Sequence, residues 1–371
     1  MFHLSTEALI AKDAKHTVPE IANQPRVWLE ALSYYEQHKS QITDFLTKIT
    51  DKHAGNVRIL LTGAGSSQYA GGMVADYLNV QRPDLHFIPV ATTDVVASPS
   101  TYLIDAPTVL VSFARSGNSP ESVATVELAE QLITNLYKIS FTCAPQGRLA
   151  LLGADDDKHL VLLQPEGSND QAFAMTSSLT SMMLSCLLVF DSIADEHKAK
   201  IVKQVSSYAT QTVDQVARIQ AVVDKPFKRL VYLGSGGLKT LAQEACLKAL
   251  ELTAGQIPTL YDSPLGFRHG PKSFVDDTTL VCVLISNDPH TAKYDRDIVA
   301  ELQADGIAQH VEAIELVGSD LPDSYLGLAH LIFAQTLATL TALKLGNSPD
   351  NPSPTGTVNR VVKGVTIHDY A

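Results

Sequence analysis

The chain has 371 residues, 45% of them hydrophobic, and a formal net charge of -12. That length exceeds one ordinary domain and suits two of about 150 residues each with an appendage. The acidic balance excludes a broad nucleic-acid-binding face or attachment to an anionic membrane, because both need clustered Lys and Arg.

Residues 1–50 read as an N-terminal helical segment. Pro19-Glu20-Ile21 opens a helix that Gln24-Pro25 is expected to interrupt, and an amphipathic stretch runs from Val27 past Phe45. Val57-Arg58-Ile59-Leu60-Leu61 then forms an aliphatic strand ending in Thr62-Gly63-Ala64-Gly65-Ser66-Ser67, with a helix from Gln68 to Leu78. Further short strands are expected at 87–90, 108–113, 137–141 and 159–163, most of them separated by helical stretches. Aliphatic strands alternating with helices imply a parallel sheet covered on both faces. Residues 179–223 read as mostly helical. The pattern then restarts. Arg229-Leu230-Val231-Tyr232-Leu233 runs into Gly234-Ser235-Gly236-Gly237 and a helix from Thr240 to Leu252, with strands at 279–285 and 311–316. Residues 326–345 are the most apolar long stretch, yet they hold His330, Gln335, three threonines and Lys344, which suits a buried helix better than a membrane span. The last 26 residues read as a surface tail. The expected fold is α/β, with two tandem parallel-sheet α/β/α sandwiches over 51–215 and 216–371.

Cys143, Cys186, Cys246 and Cys282 form no C-x-x-C pair and read as buried thiols of a reducing compartment. The first seven residues carry no basic stretch leading into an apolar one, so no signal peptide is read and the expected location is the cytoplasm. The histidines show no H-E-x-x-H or similar spacing, and neither a metal nor another cofactor is expected.

Two loops have phosphate chemistry. Gly63-Ala64-Gly65-Ser66-Ser67 offers glycines for close backbone approach, hydroxyl donors, and the free amides of a helix N-terminus. Ser112-Phe113-Ala114-Arg115-Ser116-Gly117-Asn118-Ser119-Pro120-Glu121 also follows a strand and opens a helix. Ser116, Gly117 and Ser119 are placed to surround phosphate oxygens, while Arg115 either adds charge or braces the loop. Taken singly, each loop reads equally as an ordinary strand-to-helix turn. Gln68 stands where a dinucleotide fingerprint needs its third glycine, and Gly237-Leu238-Lys239-Thr240 fails the P-loop spacing. Together the loops point to a small phosphate monoester.

The pair Gly65-Ser66-Ser67 and Ser116-Gly117-Asn118-Ser119 resembles the phosphate site of sugar isomerase (SIS) domains. The tandem arrangement resembles the isomerase half of glucosamine-6-phosphate synthase. Glu20-Ile21-Ala22-Asn23-Gln24-Pro25-Arg26-Val27-Trp28, the 112–122 loop and Ala172-Phe173-Ala174-Met175-Thr176-Ser177-Ser178 more closely resemble the bacterial galactosamine-6-phosphate deaminases, long labelled tagatose-6-phosphate ketose/aldose isomerases. The resemblance covers nearly the whole chain. It implies that Glu251 moves a proton between C1 and C2, that His269 assists ring opening, and that Lys363 lies near the sugar. His269 is expected to act in its own or a neighbouring subunit's site, in a homodimer or tetramer. The resemblance also implies that Lys248 lines the site one turn before the base, and that Thr176 and Ser177 form a turn against the sugar. The chain departs from the synthase at Ala114, where the synthase has serine, and at Arg115, where it has glutamine. No glutaminase-like region or N-terminal Cys nucleophile is read, so the expected direction is release of ammonia.

From the residues alone, Glu244, Lys248 and Glu251 share one helix face, which also describes a solvated charged face. A single carboxylate can shuttle the proton of an aldose–ketose isomerisation, and a titratable imidazole suits pyranose opening. The expected activity is conversion of galactosamine 6-phosphate to tagatose 6-phosphate and ammonia. The alternatives are isomerisation of neutral sugar phosphates and a non-catalytic sugar-phosphate sensor.

Overall fold

A computed structural model describes Phe2 and residues 4–316, 318–362 and 364–370. Lys363, expected beside the sugar, lies outside the described residues. The chain divides into two compact units. One comprises Arg26–Asn169, Ser177–Ala199 and Val358–Ala371; the other comprises Met1–Pro25, Asp170–Thr176 and Lys200–Thr357.

The first of these holds a five-stranded parallel sheet: β1 (Val57–Gly63), β2 (Leu85–Ala91), β3 (Thr108–Ala114), β4 (Leu136–Thr142) and β5 (His159–Leu163), in the order β2-β1-β3-β4-β5. Its central strands are apolar on both sides because helices cover both faces. Leu60 and Leu110 pack with Val126, Ala129 and Leu149 from helices on one face. On the other face the helix Ser66–Gln81 comes close enough that Leu61 and Phe113 lie against Gly71. β3 and β4 are buried at every position, as strands of a parallel sheet covered on both faces are.

The other unit holds a four-stranded parallel sheet: β6 (Arg229–Leu233), β7 (Thr259–Asp262), β8 (Thr279–Leu284) and β9 (His310–Ile314), in the order β7-β6-β8-β9. Val231, Leu233, Val281 and Val283 pack with Ile298 and Leu302 of the helix Thr291–Asp305. The helix Asp323–Lys344 is long and apolar enough to cross a membrane, but 94% of its most apolar window is buried inside the protein.

The N-terminal segment differs from expectation. Pro25 does not interrupt the helix, which runs unbroken over Thr17–Lys52. Proline removes the amide that would bond to the carbonyl four residues earlier. Here the Gln24 side-chain Nε2 donates to that carbonyl, Ile21 O, at 3.1 Å, and also to Gln335 Oε1 at 2.7 Å. The start of the helix is held by Asp350, whose carboxylate accepts from the amides of His16 and Thr17 and from the Thr17 hydroxyl. This carboxylate from the C-terminal segment satisfies donors that a helix start leaves open.

Candidate active site

In the five-stranded sheet, chain connections leave β1 and β3 in opposite directions. Ligands of open parallel sheets bind beyond the carboxyl ends of strands at such a switch point. β1 and β3 are neighbours in register, with Thr62 opposite Ser112, so the loops that follow them start side by side. After β1, Gly65 adopts φ 56°, a left-handed value that other residues resist, and the helix Ser66–Gln81 begins at once without a side-chain cap. Ser66 and Ser67 are buried there. After β3, Gly117 also has positive φ, and Ser116 Oγ accepts the Asn118 amide at 3.3 Å. Ser119 precedes the helix Pro120–Leu132 and makes no side-chain cap bond. The Asn118 side chain ties the loop to its neighbour by accepting from the Arg148 amide at 2.9 Å.

Arg115 is buried, and its guanidinium donates to the Arg360 carbonyl at 2.8 Å. That contact ties the loop after β3 to the C-terminal tail. Ser66, Ser67, Arg115, Ser116, Gly117 and Ser119 all belong to the five-stranded unit.

In the four-stranded unit, the helix Gly237–Leu252 carries Glu244, Lys248 and Glu251 at spacings of four and three. They do not form a solvated face. The Lys248 side chain is 1% exposed, that of Glu244 is 0% and that of Glu251 is 24%. Lys248 Nζ is ion-paired with Glu251 Oε2 and lies 3.5 Å from Glu244 Oε1. A buried ammonium needs such partners. Of the three, Glu251 is the one that reaches outward, with the lysine behind it holding its carboxylate in place.

His269 lies in the loop after the short helix Pro264–Phe267 and is exposed. Its neighbours are fixed from both sides. Arg268 Nε donates to Glu301 Oε2 at 2.6 Å and Arg268 Nη1 to Pro264 O at 3.0 Å. Lys272 pairs with the same Glu301 and with Asp305 at 2.6 Å. Those hydrogen bonds from Lys272 and Arg268 hold the Glu301 carboxyl below its usual range. The exposed imidazole therefore stands on a loop clamped to the helix Thr291–Asp305.

Thr176 belongs to the four-stranded unit and Ser177, the first residue of the helix Ser177–Phe190, to the five-stranded one; both are buried. Asp170 accepts from the Thr176 amide at 3.0 Å and its hydroxyl at 2.8 Å. Glu20 accepts from the amides of Gln171 and Ala172. Burial, and then the charge of Asp170, push the Glu20 carboxyl up to about 7. Sequence reasoning found the Glu20 motif but not this role, since the partners lie about 150 residues away. Among the described residues, no group of three His, Cys, Asp or Glu side chains is disposed to hold a metal ion.

No family model matches the chain. An Escherichia coli protein named D-galactosamine-6-phosphate deaminase AgaS is 44% identical over 372 residues, covering 95% of this chain and 96% of the relative. A solved structure from Clostridium novyi NT is 40% identical, covers 100% of this chain and 99% of its own, and superposes with a TM-score of 0.94. The solved Escherichia coli protein named tagatose-6-phosphate ketose/aldose isomerase is also 40% identical, covers 95% and 96%, and gives a TM-score of 0.86.

Proposed function

The chain belongs to the D-galactosamine-6-phosphate deaminase family, and from that premise we propose that it converts D-galactosamine 6-phosphate and water to D-tagatose 6-phosphate and ammonia. The observation that carries the phosphate part is the pair of Ser–Gly loops leaving the adjacent ends of β1 and β3. Gly65, Ser66, Ser67, Ser116, Gly117 and Ser119 hold the phosphate through amides and hydroxyls, which suits a chain of net charge -12.

His269 moves a proton between the ring oxygen and O1 to open the pyranose. Glu251 then takes the C2 proton and returns one to C1. The open aldehyde with its C2 amine becomes an enaminol, and then a C1 alcohol with a C2 imine. Water adds to the imine carbon, ammonia leaves, and C2 is left as the ketone. Lys248 orients Glu251, and Lys363, with the turn at Thr176 and Ser177, contacts the sugar. The exposure of His269 supports a homodimer or tetramer in which this ring serves a neighbouring copy. Four free, buried cysteines suit the cytoplasm.

The name of the Escherichia coli structure favours a second reading, ketose/aldose isomerisation without loss of nitrogen. Incubating the purified protein with galactosamine 6-phosphate separates the two. Ammonia release is expected, and its absence from folded, phosphate-binding protein defeats the deaminase reading.

Glu301→Ala is expected to reduce turnover about tenfold by freeing Arg268 and Lys272, since a displacement of about 1 Å at a catalytic group costs up to about 100-fold. The same substitution in a His269→Ala background should add nothing, because residues acting through one another are not additive. Steady-state kinetics of the four proteins checks this, and additive losses would show that the clamp does not act through His269.

A further inference from the structure

The four-stranded sheet repeats the cradle of the five-stranded one. Its order places β6 beside β8 at the switch point, as β1 stands beside β3. Gly236, after β6, has φ 55° and ψ -132°, against φ 56° and ψ -128° at Gly65. A Cβ on Gly234 would fall 2.4 Å from Leu238 O, just as one on Gly63 would fall 2.4 Å from the Ser67 carbonyl carbon. The same loop backbone has been built twice, and the duplication by itself would give two phosphate cradles per chain.

The second cradle is occupied from within. Asp295, completely buried, places one carboxylate oxygen 2.6 Å from the Ser235 hydroxyl and the other 2.9 Å from the Ser286 amide. Ser235 lies in the loop after β6 and Ser286 in the loop after β8. One carboxylate thus bridges both loops across the switch point, with its two oxygens taking a hydroxyl and an amide as phosphate oxygens would. Asp323 takes further donors of the second loop, the Ser286 hydroxyl at 2.5 Å and the Asn287 amide at 2.8 Å. Asp295 is the fifth residue of the helix that follows β8; the fifth residue of the helix that follows β3 is Ala124, which has no acceptor to offer. Burial pushes both the Asp295 and Asp323 carboxyls up from their usual range.

We propose that Asp295 is a built-in anion that fills the second cradle, so that the chain takes one phosphorylated ligand and not two, and that removing this carboxylate opens a second anion site. The inference stands whichever sugar phosphate the first cradle takes. A carboxylate and a phosphate monoester compete for the same donors, and like charges do not share a buried site. Asp295→Ala leaves the part-buried Ser235 hydroxyl and the buried Ser286 amide without their acceptor, which an added anion restores. Asp295→Asn keeps the side chain in place, since its amide can both accept from Ser286 and donate to Ser235, and should leave the cradle closed.

The test is equilibrium dialysis with inorganic phosphate on wild type, Asp295→Ala, Asp295→Asn and a Ser66→Ala/Ser116→Ala double variant. Asp295→Ala should bind one more phosphate per chain than wild type, Asp295→Asn no more than wild type, and the double variant none. A folded Asp295→Ala protein with no gain over wild type overturns the proposal. Wild type that binds two phosphates per chain also overturns it, and that result decides the matter even where Asp295→Ala does not fold; phosphate retained by the double variant counts against the first cradle instead. Because the first comparison is a difference from wild type, it separates failure of this proposal from failure of the phosphate role given to the first cradle.

Discussion

Replacing Glu251 with Gln is expected to lower ammonia release from galactosamine 6-phosphate by about 100- to 10,000-fold, the range that a positioned acid–base group contributes. Glutamine keeps the size of the side chain and can still accept from Lys248, but it cannot take a proton from C2. Phosphate binding should persist, because the loops proposed to supply it, after β1 and β3, belong to the other compact unit. Initial rates together with phosphate-analogue binding check both halves of the statement. A variant that turns over normally removes Glu251 from the chemistry. A variant that loses turnover and phosphate binding together points to a structural role instead.

The second large effect concerns stability. Lys248→Met should destabilise the protein by about 3–5 kcal/mol, the cost of removing one partner of a buried ion pair and leaving charge uncompensated. The lysine side chain is 1% exposed, and Glu244, next to it, is completely buried. Methionine has similar length but no charge, so the loss reports the ammonium and not a cavity. Adding Glu244→Gln should recover part of the loss, because the carboxylate left without its cation is then also gone. Urea unfolding of the wild type and both variants measures this. A change below about 1 kcal/mol, the usual scale of exposed ion pairs, would mean that the cluster is solvated.

The aliphatic runs at 57–61, 108–113 and 229–233 identified strands because buried parallel strands have no polar face to disguise them. β7 escaped that reading. Thr259-Leu260-Tyr261-Asp262 is a four-residue edge strand, partly exposed along its length, with neither an aliphatic run nor clean alternation. Pro25 misled for a different reason. A proline rule is local, while the repair by Gln24 depends on its own side chain turning back to Ile21. The loops of the first cradle could be read as candidates because glycines, hydroxyls and a helix start stand in consecutive residues. The filling of the second cradle was not. Tyr294-Asp295-Arg296-Asp297 reads as an ordinary charged helix surface, and Ser235 lies 60 residues away from Asp295. Glu244 and Lys248 were hidden in the same manner, since i, i+4 charges describe a wet helix face as well as a buried pair. Burial is a tertiary fact, and at these positions it reverses what the charge pattern suggests.

The proposed reaction is an isomerisation by proton transfer from C2 to C1 that ends in loss of nitrogen. Its most direct test follows purified protein acting on galactosamine 6-phosphate deuterated at C2, with ammonia, ketose and label measured together. Ammonia and tagatose 6-phosphate should appear in equal amounts, with part of the deuterium recovered at C1. Ketose formed without an equal amount of ammonia, ammonia formed without ketose, or ketose carrying no deuterium at C1 would contradict the claim.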